Sequence, residues 1–159
     1  IAAHGYSFDP DHAQIVVVGL DRSLTYEKLS IAGQRILGGA AFIATNGDVT
    51  FPMPNGVVTP GAGAIVSAVA TMTGCTPYLI GKPAAPMFEA ALRYFGTLPD
   101  QTLMIGDRLD TDILGAQGVG MKSALVLTGI SRADETVTIT PDAIYADLAA
   151  LLAVWQSSV

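Results

Sequence analysis

Five short apolar runs constrain this chain more than any other feature: Ile15 to Val18, Ala41 to Ala44, Tyr78 to Ile80, Leu103 to Ile105 and Ala124 to Leu127. They show little alternation of apolar with polar residues, the pattern of strands covered on both faces. Between them lie segments with helical spacing and recognisable ends. Thr25 opens one in which Leu29, Ala32 and Ile36 share a face, and Gly38-Gly39 closes it. Thr59-Pro60 opens a second, with Thr as cap and Pro in the first turn, and it ends near Gly74. A third runs from about Pro83 to Phe95 and stops at Gly96, a fourth from about Thr111 to Gln117 and stops at Gly118, and the last covers Asp147 to Trp155. Strands alternating with helices along the whole length predict an α/β fold of parallel sheet with right-handed crossovers. In such sheets ligands bind beyond the carboxyl ends of the strands. The segment DVTFPMPNGVVTPGAG is rich in Pro and Gly and is expected to be a boundary region or a mobile loop.

The chain has 159 residues, half of them hydrophobic, enough to build one ordinary domain or two small ones. Lys and Arg number 8 against 14 Asp and Glu, for a net charge of -6, so no basic stripe is available to follow a phosphate backbone and nucleic acid is not an expected partner. The longest apolar stretches, IVVVGL and GAIVSAVA, fall far short of the roughly 20 residues that span a bilayer, so no membrane association is expected. The single cysteine, Cys75, excludes an internal disulfide framework, suits a reducing cytoplasmic compartment and reads as a small core residue. The opening IAAHGYSFDP has neither a basic start with an apolar run nor an initiator Met. It is expected to be no signal or transit peptide and to begin partway through a longer sequence. His4 and His12 have no third ligand at metal spacing and are expected to be solvated; the Met and aromatic residues, Trp155 included, read as packing.

Chemistry concentrates where the apolar run Leu103 to Ile105 ends. In LMIGDRLDTDILGA, Asp107 comes just past the strand, Gly106 makes the turn, Asp110 is placed to cap the next helix, and Asp112 lies in its first turn. Asp110 and Asp112 could merely complement the helix dipole. Asp107 precedes the helix and sits where a parallel sheet presents ligands. Crowded carboxylates repel, and a hard cation relieves the repulsion; Mg²⁺ typically takes one or two carboxylates along with substrate phosphate. In YLIGKPAAPMFEAALRYFG, Lys82 follows a strand and precedes a helix, so its ammonium meets the positive end of the macrodipole. An anion is needed there, and free N–H groups beside an ammonium suit a phosphate or a carboxylate cluster.

Lys82, Asp107 and Asp112, in this order and context, resemble the later motifs of the haloacid dehalogenase superfamily. VVVGLDRSLTYEKL, FIATNGDVTFP, the TPGAGAI segment, GKPAAPMFEAAL, GDRLDTDILGA and SALVLTGI are similar to the branch of p-nitrophenyl phosphatase-like and phosphoglycolate phosphatase-like enzymes with a C2-type cap. The likeness extends from Ile15 to Ile130, and PDAIYADLAAL is similar to that family's closing strand and helix. The resemblance implies a Rossmann-like parallel-sheet core, here partial and covering residues 79–159, plus the carboxyl-terminal part of a smaller α/β cap over residues 1–78. It implies Mg²⁺-dependent hydrolysis of small phosphomonoesters. Lys82 would hold the phosphoryl group, Asp107 would bind Mg²⁺, and Asp112 would orient the lysine and the metal waters. Asn46, Asp48, Asp21 and Arg22, at or just after strand ends, would face a small phosphorylated metabolite from the cap; for Asn46-Gly47-Asp48, turn chemistry is the competing explanation.

The family's first motif, an apolar strand ending in Asp-x-Asp whose first Asp attacks phosphorus, has no match. VVVGLDRSLTY comes nearest, but Ser23 stands two residues after Asp21. An incomplete site, inactive by itself, is therefore expected, since Lys82 and Asp107 without a nucleophile bind but do not turn over. Exposed apolar surface and self-association into a homo-oligomer are expected with it. The alternatives are a non-catalytic phosphate- or metal-binding module and a receiver-like phosphoacceptor module. In the latter the Lys follows the acids, whereas Lys82 precedes Asp107. PGAGA and GAQGVG hint at a nucleotide-binding module but lack the G-x-G-x-x-G order directly after a strand.

Overall fold

The computed structural model describes residues 2–132 and 139–157. The chain forms two compact units that divide after Ile80. Among the described residues no helix is long and apolar enough to cross a membrane.

The first unit holds β1 (Ile15–Val18), α1 (Tyr26–Leu37), β2 (Ala41–Ala44), β3 (Thr50–Pro52), β4 (Val58–Pro60), α2 (Ala62–Thr73) and β5 (Tyr78–Leu79). β1, β2 and β5 form a parallel sheet in that order, with Val18 opposite Ala44 and Ile43 opposite Tyr78. α1 begins where the sequence indicates: Thr25 is extended and its Oγ1 accepts the Lys28 N–H at 3.2 Å, a cap of the kind worth about 1 kcal/mol. Ile36 then packs with Val18, Phe42, Ala44, Ile65, Val66 and Val69 in one buried cluster, against which Leu29 and Cys75 lie partly buried. The other side of β1 stays open, with Val17 59% exposed. β1 thus alternates between buried and exposed residues, and the expectation of strands covered on both faces fails in this unit because the helices' apolar residues pack against only one set of its side chains.

The second helix departs from expectation at its start. Thr59 and Pro60 lie in β4, which pairs antiparallel with β3, and the Thr59 hydroxyl donates to the Phe51 carbonyl at 3.1 Å instead of capping a helix. The N-cap is Gly61. A Cβ on Gly61 or Gly63 would overlap the backbone of residues 47 and 48, so this helix can start only with glycine there. The β3–β4 hairpin occupies much of the segment expected to be a boundary or mobile loop, and the division between units falls elsewhere. At its other end α2 stops at Gly74, where its end was expected, and Gly74 takes the left-handed conformation at φ 68.

The second unit holds α3 (Ala85–Phe95), β6 (Leu103–Gly106), α4 (Leu114–Gly118), β7 (Lys122–Val126), β8 (Ala143–Tyr145) and α5 (Leu148–Ser157). Its sheet is parallel in the order β6-β7-β8, with Gly106 opposite Leu125 and Ala124 opposite Ala143. β7 is central and buried from Ser123 to Val126, so two-sided cover holds here. Phe88 of α3 packs with Ala116 and Met121, while Leu109, Ile113 and Leu125 form a separate cluster. α3 ends at left-handed Gly96. α5 begins after Asp147, whose Oδ1 accepts the Ala150 N–H at 2.7 Å. β5 pairs with β2, and the Ile80 N–H donates to the Ala44 carbonyl, which keeps this strand in the first unit.

Candidate functional site

β6 delivers the chain to Gly106, where a Cβ would fall inside the Asp112 side chain. Only glycine allows the following segment to fold back this closely. Leu109–Ile113 forms one π-helical turn before α4, so the helical segment begins ahead of Thr111, where it was expected. That turn brings Asp112 back beneath the strand end, where it is 3% exposed. Its Oδ2 accepts the N–H groups of Asp107 and Arg108, each at 3.1 Å. Its Oδ1 receives the Lys82 ammonium at 2.5 Å.

Lys82 stands in the loop ahead of α3, where its charge meets the positive end of the helix macrodipole. Asp112 is the anion that offsets it. An ammonium has three N–H donors, and Asp112 is Lys82's hydrogen-bond partner among the described residues. Lys82 is 37% exposed on its side chain, so it remains accessible to an anionic ligand.

Asp107 is held differently. Its Oδ2 accepts the Ile130 N–H at 3.1 Å and its main-chain carbonyl accepts the Ser131 N–H at 3.0 Å. Oδ1 has no protein donor among the described residues. A hard cation takes oxygen ligands of this kind, and Mg²⁺ is usually held by one or two carboxylates with waters and phosphate. Asp107 fits that role with one oxygen. Asp112 does not, since both of its oxygens are committed to protein donors. Among the described residues no group of three or more His, Cys, Asp and Glu is arranged to hold a metal, so the ligand set within them is short.

Asp110 corrects an expectation. It does not cap the helix; the N-cap position is Arg108, whose guanidinium donates to both Asp110 carboxylate oxygens, at 3.1 and 2.8 Å. That guanidinium holds the Asp110 carboxyl below the usual carboxylate range, against a smaller opposing effect of partial burial. The π-turn explains the exchange, because it begins at Leu109, so the N-cap falls on Arg108 and Asp110 lies inside the turn.

In the first unit the carboxyl ends of β1 and β2 adjoin, tied by the Thr45 N–H to the Val18 carbonyl at 2.9 Å. The structure therefore brings the loop of Asp21 and Arg22 beside that of Asn46 and Asp48. Each of the four has a local partner. Asp21 accepts the Lys28 ammonium and the Ser23 N–H, both at 2.7 Å, and these, the lysine first, hold its carboxyl below the ordinary range. Arg22 lies over the Phe51 ring, 5.5 Å from the centroid. Asn46 Nδ2 donates to Asp48 Oδ2 at 2.7 Å, a bond between side chains two residues apart. His4 and His12 are exposed.

Sequence reasoning passed over Gly129, Ile130 and Ser131, which follow β7: Gly129 and Ile130 lie against the Asp107 carboxylate and Ser131 bonds its main-chain carbonyl. The signal was available: the carboxyl end of β7 lies beside that of β6 in a parallel sheet, where ligand-binding groups collect.

A family model described as HAD-hydrolase-like matches residues 79–151. The chain is 42% identical over 132 residues to the 5'-nucleotidase YutF of Bacillus subtilis, covering 83% of this chain and 51% of that protein. It is 43% identical over 125 residues to an acid sugar phosphatase of Staphylococcus aureus, covering 79% of this chain and 48% of that protein. The crystal structure of a 4-nitrophenylphosphatase from Thermotoga maritima superimposes with a TM-score of 0.86 at 35% identity, over 94% of this chain and 58% of that one. The chain spans about half the length of the curated relatives it matches. A strand end bearing Asp107, a buried Asp112 paired with a lysine from the preceding loop, and these likenesses agree: the chain belongs to the haloacid dehalogenase-like hydrolases, in the p-nitrophenyl phosphatase-like branch.

Proposed function

We propose that this chain carries the lysine and acidic part of a Mg²⁺-dependent phosphatase site for small phosphomonoesters. The observation that supports this best is the 2.5 Å pair of Lys82 and Asp112, whose second oxygen also holds the turn at Asp107. Lys82 binds an oxygen of the phosphoryl group and places positive charge where negative charge builds up during transfer. Asp112 holds that ammonium in place through the hydrogen bond from Lys82. Asp107 supplies Oδ1 to the metal, which when bound neutralises phosphoryl charge. Asn46, Asp48, Asp21 and Arg22, in a unit that serves as part of the cap, face the substrate. A reducing cytoplasmic location accords with the one free cysteine.

None of the described strands ends directly in Asp-x-Asp; the one such pair that follows a strand, Asp110 and Asp112, lies within the π-turn after β6. Residues 1–159 by themselves accordingly bind metal and phosphate without turnover, and this favours a binding module as the second reading. Calorimetric titration with Mg²⁺, with and without inorganic phosphate, tests the site. Saturable Mg²⁺ binding that weakens about 10-fold or more in Asp107→Asn supports it; binding indifferent to that substitution refutes the assignment. Hydrolysis of p-nitrophenyl phosphate by this chain alone would overturn the reading of an incomplete site.

A further inference from the structure

The loop after β7 touches the β6 strand end at three points. The Ile130 N–H donates to Asp107 Oδ2 at 3.1 Å, the Ser131 N–H donates to the Asp107 carbonyl at 3.0 Å, and the Ser131 hydroxyl accepts the Leu109 N–H at 3.1 Å. Ser131 is 7% exposed, so its hydroxyl is the partner of that amide in a place water scarcely reaches. Gly129 completes the arrangement: a Cβ there would overlap the Asp107 carboxylate, so a glycine is what lets the loop close over it.

We infer that Gly129 and Ser131 are positioning residues that fix the Asp107 carboxylate so that it presents Oδ1 alone to a divalent cation. This rests on the reading of Asp107 as a metal ligand. Ile130 cannot be replaced by side-chain choice, because its contribution is a main-chain N–H; the loop's path is what holds that N–H on Oδ2. Ser131 anchors the path from one end through Leu109, and Gly129 makes it sterically possible at the other. An N–H on one oxygen of a carboxylate disfavours its use in a two-oxygen grip, leaving a single-oxygen ligand of the kind Mg²⁺ takes. Partners that orient a ligating group typically change metal affinity 10–100-fold when lost.

The test is Mg²⁺ titration by calorimetry of the unmodified chain, Asp107→Asn, Ser131→Ala, Ser131→Thr and Gly129→Ala. Far-UV circular dichroism is recorded for each, together with hydrogen exchange at the Ile130 amide with and without Mg²⁺. The expected result is a loss of about 10-fold in Ser131→Ala and Gly129→Ala with unchanged circular dichroism, and recovery to within about threefold in Ser131→Thr, which keeps the hydroxyl. Mg²⁺ should also slow exchange at the Ile130 amide of the unmodified chain about 10-fold or more, since a carboxylate held by the metal holds its hydrogen-bond donor in turn. If Asp107→Asn weakens binding while Ser131→Ala and Gly129→Ala bind within twofold of the unmodified chain, the positioning inference falls and the metal site stands. If variants fail to fold, the exchange result decides: unchanged Ile130 exchange on Mg²⁺ saturation overturns the inference. Absence of any Mg²⁺ binding by the unmodified chain overturns the metal site and this inference with it.

Discussion

Asp112→Asn asks most directly whether the second unit is organised around a buried charge. The substitution keeps the side chain's size, so the close fit against Gly106 is preserved and no cavity opens. It removes the charge and turns one of two acceptor oxygens into a donor. Asp112 accepts from Lys82 at 2.5 Å and from the Asp107 and Arg108 amides at 3.1 Å each. An asparagine can satisfy the lysine or the two amides with its oxygen, and then turns its NH₂ toward the other group, donor against donor. Hydrogen bonds to a charged group contribute roughly 1.5–3 kcal/mol each. The Lys82 contact is discounted, because that side chain is 37% exposed and water replaces much of what is lost. Even with its oxygen turned to the two amides, the asparagine gives them a neutral acceptor in place of a charged one and sets an NH₂ against the Lys82 ammonium, and the combined loss is about 3 kcal/mol. For a chain of this size that lowers the midpoint of thermal unfolding by about 10 °C. Urea unfolding followed by circular dichroism at 222 nm, with Asp110→Asn as the exposed control expected to change stability by less than about 0.5 kcal/mol, measures it. A loss below about 1 kcal/mol in Asp112→Asn, or an equal loss in Asp110→Asn, would refute the view that the buried carboxylate organises the turn.

Gly106→Ala forces the Asp112 carboxyl aside and is expected to destabilise by about 2 kcal/mol or more in the same urea experiment, while weakening Mg²⁺ binding through the displaced Asp107; a variant as stable as the parent would show that the turn has room to spare. Asp142 accepts the Ser123 N–H and hydroxyl, which with Lys122 hold its carboxyl below the ordinary range, the Ser123 N–H being the largest cause. A group whose folded pKa is lowered contributes stability above its unfolded value, near 3.9 for Asp, and loses that contribution as pH falls through the folded value. Stability of the unmodified protein therefore declines as the medium is acidified through that window, and Asp142→Asn should show a shallower decline by urea unfolding over the same pH range. An acid limb of identical slope would assign the decline to other carboxylates.

The helix ends show how far local chemistry reads from letters. Thr25 caps α1, and Gly74 and Gly96 end α2 and α3 in the left-handed conformation, because each of these choices depends on a residue and its immediate neighbours. Thr59 failed the same logic. A hydroxyl suited to capping was taken by the Phe51 carbonyl across a hairpin, a competition that depends on a strand eight residues away. Asp110 failed likewise once the π-turn set Arg108 at the N-cap.

The sequence alone carried the α/β class, the strands that supply Asp107 and Lys82, and the family likeness, since apolar runs, glycine stops and motif order are properties of neighbouring residues. Tertiary structure decided which carboxylate does what. Asp107 and Asp112 look alike in the string GDRLDTD, yet one is left with an open oxygen and the other is enclosed by a lysine and two amides. That difference comes from a lysine 30 residues earlier in the chain and from Ile130, 23 residues after Asp107. Only folding brings such donors within 3 Å or so, the range in which a hydrogen bond has appreciable strength, and no local pattern encodes the meeting.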